Sequence, residues 1–186
     1  MNLLVGSCFR DSSPEYVAAY RARIAALRDM ALERGDYLQL VAVWGDSPPT
    51  TAEVLGLGLG SLALPKFTLV DRTHGLGSFG STTHPARLAG FAHAVDGVFE
   101  EVGPYVDAVV YVESDLQWLP DTIYRLIDKL RPGIDIIAPM TFLRAGAPNW
   151  LGAVSDGSNV FYDIWGCRTL DGTPFNSFFP HADGLR

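Results

Sequence analysis

The sequence has few cysteines and no long apolar run, and each shortage argues against a class of protein. Its two cysteines, Cys8 and Cys167, lack CxxC spacing and indicate neither a zinc site nor a disulfide framework. We expect reduced thiols and a cytoplasmic protein, with a single disulfide as the alternative. No apolar run approaches the roughly 20 residues of a membrane span, and the first residues predict a strand and not a signal peptide. We therefore expect no membrane partner.

Positive charge is also in short supply. The chain of 186 residues has 14 Lys and Arg against 21 Asp and Glu, a formal net charge of -7. A protein that holds phosphates by bulk charge has the opposite balance, so a phosphorylated ligand must be bound locally, by a few arginines, backbone N–H groups or a metal. Hydrophobic residues make up 48% and charged residues 19%, which fits one folded domain over 1–186.

Apolar runs alternate with helical periodicity along most of the chain. The predicted strands are 3–8, 37–44, 67–70, 108–112 and 134–139. The predicted helices are 14–34, 50–57, 83–102 and 120–130. This alternation predicts a Rossmann-like α/β fold, with a mainly parallel central sheet and helices on both faces. In such sheets ligands bind beyond the carboxyl ends of the strands.

The glycines of Gly56-Leu-Gly-Leu-Gly60 look like a dinucleotide-binding fingerprint. That fingerprint needs G-x-G-x-x-G directly after a strand and at the start of a helix. Here the spacing is G-x-G-x-G, and the preceding predicted strand ends well before it. We predict a flexible turn at this segment, and a nicotinamide-dependent enzyme is disfavoured.

Two carboxylates, Glu113 and Asp115, follow the apolar run Ala108–Val112 directly. If the strand continues, side chains two residues apart point to the same side. Burying two unpaired like charges is costly, and a divalent cation removes the conflict. Magnesium and manganese take a few carboxylate oxygens and complete their shell with phosphate and water. The pattern favours such a cation site, and the alternative is two exposed acids at a turn.

The segment Val112-Glu-Ser-Asp-Leu116 resembles the DxD motif of glycosyltransferases with the GT-A fold, with Glu in place of the first Asp. Ser81-Thr-Thr-His-Pro-Ala-Arg-Leu-Ala-Gly-Phe-Ala resembles the family 2 segment that precedes the DxD strand. Asp135-Ile-Ile-Ala-Pro139 and Phe161-Tyr-Asp-Ile-Trp165 are similar to segments of fungal Golgi mannosyltransferases. The resemblance covers roughly residues 2 to 165 in order of elements, and it implies a single GT-A-like domain.

The resemblance implies roles for particular residues. Asp115 would ligate Mn²⁺ or Mg²⁺ and so take part in catalysis, and Glu113 would contact the ribose or reach the metal through water. His181 would supply a third metal ligand, and Asp163 would be the general base that deprotonates the acceptor hydroxyl. The residues implied to bind the nucleotide or the substrate are Arg10, Asp46, Arg87, Glu113, Ser114 and Trp165.

Most of these residues also have a structural interpretation that the sequence leaves open. Asp46 would then be a cap or turn aspartate, and Arg87 would form a surface salt bridge. Asp163 would support a loop, and His181 would be an exposed histidine. Trp165 would belong to the core, as most aromatic residues do.

The resemblance implies a metal-dependent glycosyltransferase that moves a sugar from a nucleotide-diphosphate sugar to an acceptor hydroxyl. UDP-sugar is the favoured donor and GDP-mannose the alternative. The acceptor would be a glycan or a nucleic-acid base, as for small phage-type enzymes, and the oligomeric state is left open. The basic cluster Arg21, Arg23 and Arg28 is interpreted as a solvated helix face. The rival functions are a nucleotidyltransferase and a non-catalytic nucleotide-sugar-binding domain.

Overall fold

The computed structural model describes residues 1–10, 12–75 and 85–137, together with the backbone of 142–143 and 160–161. Its contacts divide the chain into two compact units, Met1–Lys129 and Leu130–Arg186. The elements of the first unit are β1 (Asn2–Phe9), α1 (Pro14–Arg34), β2 (Tyr37–Trp44), α2 (Thr50–Gly60), β3 (Lys66–Asp71), α3 (Pro85–Phe99), β4 (Ala108–Tyr111) and α4 (Pro120–Ile127).

The four strands of the first unit form one parallel sheet in the order β3-β2-β1-β4. The chain builds outwards from β1 to β3 and then crosses to the other side of β1 for β4. The strand order therefore reverses between β1 and β4. At such a reversal the loops leave the sheet in opposite directions, and ligands of doubly wound sheets bind in the crevice there. The predicted α/β class with a parallel sheet is confirmed.

Helices cover both faces of this sheet, as predicted. Leu3 and Val5 of β1 pack in one core with α1, α2 and α4. Leu4, between them, lies on the opposite face and packs in a second core with Val98 of α3. Side chains of a strand alternate between its faces, so continuous apolar runs are required when both faces are buried. Each fully buried aliphatic side chain contributes about 1.5–3 kcal/mol to folding.

The helix α1 has a start and an end that the sequence predicts. The Ser13 side chain accepts a hydrogen bond from the Tyr16 amide at 3.2 Å, and Pro14 occupies the first turn. Gly35 ends the helix in the left-handed conformation, with φ of 71°. The buried residues of α1 are Val17, Tyr20, Ile24, Leu27 and Ala31.

The prediction of a flexible turn at 56–60 is wrong, because this segment is the second half of α2. Leu55 and Leu59 lie four residues apart and are fully buried. Gly58 lies against α1, where a Cβ on this glycine would come within 2.8 Å of Val17 Cγ1. Burial of the leucines and this close helix contact outweigh the helix penalty of glycine, about 1 kcal/mol per residue.

A second glycine permits a close approach on the other face of the sheet. A Cβ at Gly6 of β1 would overlap the Val98 side chain of α3. The backbone of Gly6 also serves the neighbouring strand, since its carbonyl accepts the Val112 amide at 3.0 Å. Gly6 therefore sets the spacing of β1 from α3 while it supports the residue that follows β4.

The strand predicted at 134–139 does not form over its described part, 134–137. The Ile134 amide donates to the Arg131 carbonyl at 2.8 Å, which closes a turn through Gly133 with φ of 87°. Ile136 is 87% exposed and not buried in a sheet. Apolar composition alone does not distinguish a strand from an exposed extended segment.

The two short strands of the second unit, β5 (Phe142–Leu143) and β6 (Val160–Phe161), pair antiparallel. In the first unit, α3 ends at Phe99 and α4 at Ile127, both earlier than predicted, and the predicted start of α3 at 83–84 lies outside the described residues. Within the described ranges, no helix has the length and apolar character to cross a membrane.

Candidate functional site

The two acids of the DxD-like segment lie on a turn just after β4. The strand ends at Tyr111, and the Leu116 amide donates to the Glu113 carbonyl at 3.1 Å. We call Glu113–Leu116 the acid turn. The strand does not continue through the acids, so they lie at a turn, as in the alternative that the sequence left open. Both acids are exposed, whereas Ser114 between them is buried, with 8% of its surface accessible.

Ser114 ties the acid turn to β1 and α1. Its hydroxyl donates to the Cys8 carbonyl at 2.7 Å and accepts from Tyr16 Oη at 2.9 Å. Its own carbonyl lies 3.5 Å from a terminal nitrogen of Arg23. The hydroxyl proton and one lone pair of Ser114 are thus engaged within the protein. Its role in nucleotide binding stays a prediction.

Neither carboxylate of the acid turn forms an ion pair in the part of the chain that the structure describes, although Arg23 lies beside the Ser114 carbonyl between them. Neither Glu113 nor Asp115 forms a side-chain hydrogen bond or an ion pair with another described residue. Partial burial raises the pKa of Glu113 above its ordinary value, and the negative charge of Asp115 raises it further. The turn therefore brings together two acids that no ion pair with a described residue neutralises.

This donor set fits a divalent cation that shares its shell with a phosphorylated ligand. Among the residues in the described ranges, no group of three or more His, Cys, Asp or Glu side chains is placed to hold a metal ion. Two carboxylates are what Mg²⁺ or Mn²⁺ commonly takes from a protein when phosphate and water complete the shell. Glu113 and Asp115 are of the ligand type that such a shared site uses, and whether they hold a cation stays a prediction. His181, the predicted third ligand, lies outside the described residues.

Two further polar groups lie behind the acid turn. Burial raises the pKa of the Cys8 thiol and of the Tyr111 hydroxyl, and the charge of Glu113 raises both further. The Tyr111 hydroxyl is buried and makes no well-formed hydrogen bond, although it is close enough to Cys8 for each to shift the pKa of the other. A site backed by buried groups has a low local dielectric, which strengthens its attraction for a cation.

Asp46, after β2, has a different environment. Its carboxylate accepts the His74 amide at 3.0 Å and the Gly75 amide at 2.8 Å, and His74 Nδ1 lies 3.0 Å from it. These amides, led by that of His74, lower the pKa of Asp46, and the imidazole and the charge of Arg10 lower it further. Asp46 therefore holds the start of the loop after β3, the structural interpretation that the sequence left open. Its contact with ribose stays a prediction.

Of the two arginines predicted to bind the ligand, one lies beside Asp46 and neither contacts the acid turn. Arg10 follows β1 and influences Asp46 electrostatically. Arg87 is exposed in the first turn of α3, and no ion pair or hydrogen bond joins its side chain to another described residue. Its pairing with a diphosphate stays a prediction. Asp163 and Trp165 lie outside the described residues.

The arginines of the basic cluster of α1 are partly exposed and also bonded within the protein. Arg28 donates to the Leu62 carbonyl at 2.6 Å, and Arg21 donates to the Ser61 hydroxyl at 3.2 Å. Arg23 lies with its guanidinium 5.9 Å from the centre of the Tyr20 ring. Long cationic side chains bury their stems against neighbouring surfaces, and a count of charges does not reveal which neighbours they reach.

Sequence reasoning missed Tyr16 and Arg23, both of which contact the acid turn. A signal for Tyr16 was present, since a hydroxyl group in the first turn of the helix after β1 lies at the carboxyl edge of the sheet. No comparable signal existed for Arg23, whose contact with Ser114 joins residues 91 positions apart.

The fold and the site together define a class of protein: a Rossmann-like α/β unit with a carboxylate pair where its strand order reverses. No family model, curated protein or solved structure matches the chain. The choice of function within this class therefore depends on the geometry of the acid turn, formed by Glu113–Leu116.

Proposed function

We propose that the protein is a metal-dependent glycosyltransferase that transfers a sugar from a nucleotide-diphosphate sugar to an acceptor hydroxyl. The observation that carries this proposal is the pair of carboxylates, Glu113 and Asp115, unpaired among the described residues and held on an anchored turn at the strand reversal. These two residues would hold Mn²⁺ or Mg²⁺. When bound, the cation supplies Lewis-acid stabilisation of the departing diphosphate.

The described residues support this chemistry in three ways. Ser114 holds the acid turn in place through its hydrogen bonds to β1 and α1. Asp46 fixes the loop at His74 and Gly75, which borders the same carboxyl edge of the sheet. Arg10 brings a guanidinium to that edge, and this group suits phosphate. The nucleotide would lie along the ends of β1, β2 and β4.

The donor and the acceptor are proposed at the level of chemical class. UDP-sugar is the favoured donor, with GDP-mannose as the alternative, and the acceptor is a glycan or a nucleic-acid base. Asp163 remains the proposed general base, and Trp165 and Arg87 remain proposed ligand contacts. The free thiol of Cys8 favours a cytoplasmic setting.

A donor screen tests the proposal. The purified protein is incubated with a panel of nucleotide sugars and Mn²⁺, and the released nucleotide is measured. We expect one donor to release a nucleoside diphosphate, because such enzymes leak slowly to water in the absence of an acceptor. A parallel incubation with a nucleoside triphosphate and a sugar 1-phosphate distinguishes the rival function, because a nucleotidyltransferase would there form a nucleotide sugar and release pyrophosphate.

The matched variants are Asp115→Asn and Asp96→Asn. Both replace an exposed aspartate by its uncharged isostere, and Asp96 lies on α3. We expect Mn²⁺-dependent binding of UDP to be lost in the first variant and kept in the second, as followed by calorimetry. Binding of UDP that needs no metal and survives Asp115→Asn would reject the mechanism and favour a non-catalytic binding domain.

A further inference from the structure

Two tyrosine–serine hydrogen bonds join α1 to residues at the sheet, and they differ in what they reach. Tyr20 Oη and Ser7 Oγ lie 2.6 Å apart, fully buried under the middle of the helix. Tyr16 lies four residues earlier on the same helix face, and its hydroxyl donates to Ser114 Oγ at 2.9 Å. The two bonds join the same residue types from the same helix, but only the second reaches the acid turn.

The bond from Tyr16 reaches the acid turn beyond the last ladder bond of β4. β4 ends at Tyr111, and the last ladder bond beside it runs from the Val112 amide to the Gly6 carbonyl at 3.0 Å. Beyond that point Ser114 makes the contacts with β1 and α1, through its bonds to Cys8 and Tyr16. Ser114 is also the residue between the two acids, so a shift of its backbone moves both carboxylates.

We propose that Tyr16 and Ser114 are positioning residues that hold the Glu113 and Asp115 carboxylates in the arrangement a divalent cation requires; this inference rests on the proposed function. The two acids lie two residues apart on one turn, and two ionised carboxylates repel each other. A turn free to relax would separate them. Holding the pair together in advance removes that rearrangement from the cost of binding the cation.

The test compares Tyr16→Phe with the matched control Tyr20→Phe. Each variant deletes one hydroxyl that bonds to a serine, so both are expected to lower the melting temperature. We expect Tyr16→Phe to weaken Mn²⁺ binding about three- to tenfold, the effect of one net hydrogen bond, and Tyr20→Phe to leave it within about twofold. Binding of Mn²⁺ alone is followed by the spin-resonance signal of the free ion.

Ser114→Ala provides a second variant, which removes both hydrogen bonds of the Ser114 hydroxyl and should weaken Mn²⁺ binding at least as much as Tyr16→Phe. Unchanged Mn²⁺ affinity in Tyr16→Phe and Ser114→Ala would overturn the inference, and so would an equal loss in Tyr20→Phe. Either of these results is compatible with the proposed function, provided that Asp115→Asn abolishes Mn²⁺ binding. If Mn²⁺ binding by the wild-type protein does not depend on Asp115, the proposed function is rejected, and the inference with it.

Discussion

Two corners of the same sheet edge each place an aspartate or glutamate shortly after an apolar strand, with opposite results. At the end of β2, Asp46 accepts two backbone amides and lies beside an imidazole, and its pKa is lowered. At the end of β4, Glu113 has no such donors among the described residues, and its pKa is raised. An acid at a strand end is structural where a neighbouring loop supplies amide donors, and it is available to a ligand where none does.

The cause of the difference is the approach of one loop. The Arg72 amide donates to the Trp44 carbonyl at 2.7 Å, which brings the chain after β3 alongside Gly45. A Cβ on Gly45 would lie 2.5 Å from the Arg72 carbonyl oxygen, so only glycine allows this approach. The loop then delivers the amides of His74 and Gly75 to Asp46. In the described sheet, β4 has a neighbour only on the β1 side, and no loop of the described ranges donates amides to its acids in that way.

Of the variants that test this difference between the two acids, Asp115→Asn is expected to have the largest effect. Loss of one carboxylate removes a metal ligand, and we expect turnover of the donor to fall by on the order of a hundredfold or more. The folded state should be no less stable, because the variant relieves repulsion with Glu113. Steady-state release of the nucleoside diphosphate measures the first effect and chemical denaturation the second. Retention of near wild-type turnover would contradict the assignment.

The second-largest effect is expected from addition of Mn²⁺, which should stabilise the protein through the acids after β4 and not through Asp46 after β2. A ligand bound only by the folded protein stabilises it by about 2.7 kcal/mol when its concentration is a hundred times the dissociation constant. We expect this stabilisation in the wild type and in Asp46→Asn, and not in Asp115→Asn. Thermal melting across a Mn²⁺ series makes the measurement. A shift of equal size in all three proteins would indicate binding elsewhere.

Asp46→Asn should cost stability of about 1–2 kcal/mol at neutral pH, because the charged acceptor of two amide hydrogen bonds is weakened. The lowered pKa means that this contribution is present above the ordinary aspartate value, about 3.9, and is lost as the pH falls through the folded-state value. The difference in unfolding free energy between wild type and variant should therefore shrink in acid. Denaturation at pH 7 and pH 3 checks it, with Asp96→Asn as the control that changes little.

Glu113→Gln should give the smallest effect, a gain of roughly 0.5 kcal/mol or less at neutral pH without metal, as for other exposed charges. The raised pKa means that folding favours the protonated form of Glu113, so ionisation costs stability as the pH rises through the folded-state value. The gain should vanish below the ordinary glutamate value, about 4.3. The two corners would thus depend on pH in opposite directions, and parallel pH profiles would contradict the contrast.

The sequence correctly predicts the elements whose ends are set by capping and turn residues close to them in the chain. The Ser13 cap, Pro14 and Gly35 define α1, and the apolar run at 108–112 leads into the acids as expected. The helix at 56–60 was missed because its support comes from packing on α1, which glycine content does not reveal. The strand predicted at 134–139 fails in its described part because the turn before it directs Ile136 to solvent.

For the candidate site too, the sequence predicts the positions of the acids and not their partners. The position of Glu113 and Asp115 at a strand end follows from the alternation of elements. Whether an acid is satisfied depends on partners far along the chain: Asp46 and His74 are 28 residues apart, and Tyr16 and Ser114 are 98 apart. Such contacts arise only when the sheet is assembled, so the sequence left open whether Asp46 binds a ligand or supports a turn.

The bare backbone at Gly6 has a consequence for how mutational surveys of this protein would read. Any side chain there would press on Val98 and displace the carbonyl that receives the Val112 amide, two residues before Ser114. A mutational scan that measures the proposed activity would rank Gly6 with the residues that contact the ligand, although no ligand needs to touch it. Measuring the cellular abundance of the same variants would distinguish those that fail to fold from those that fold but lose a ligand contact.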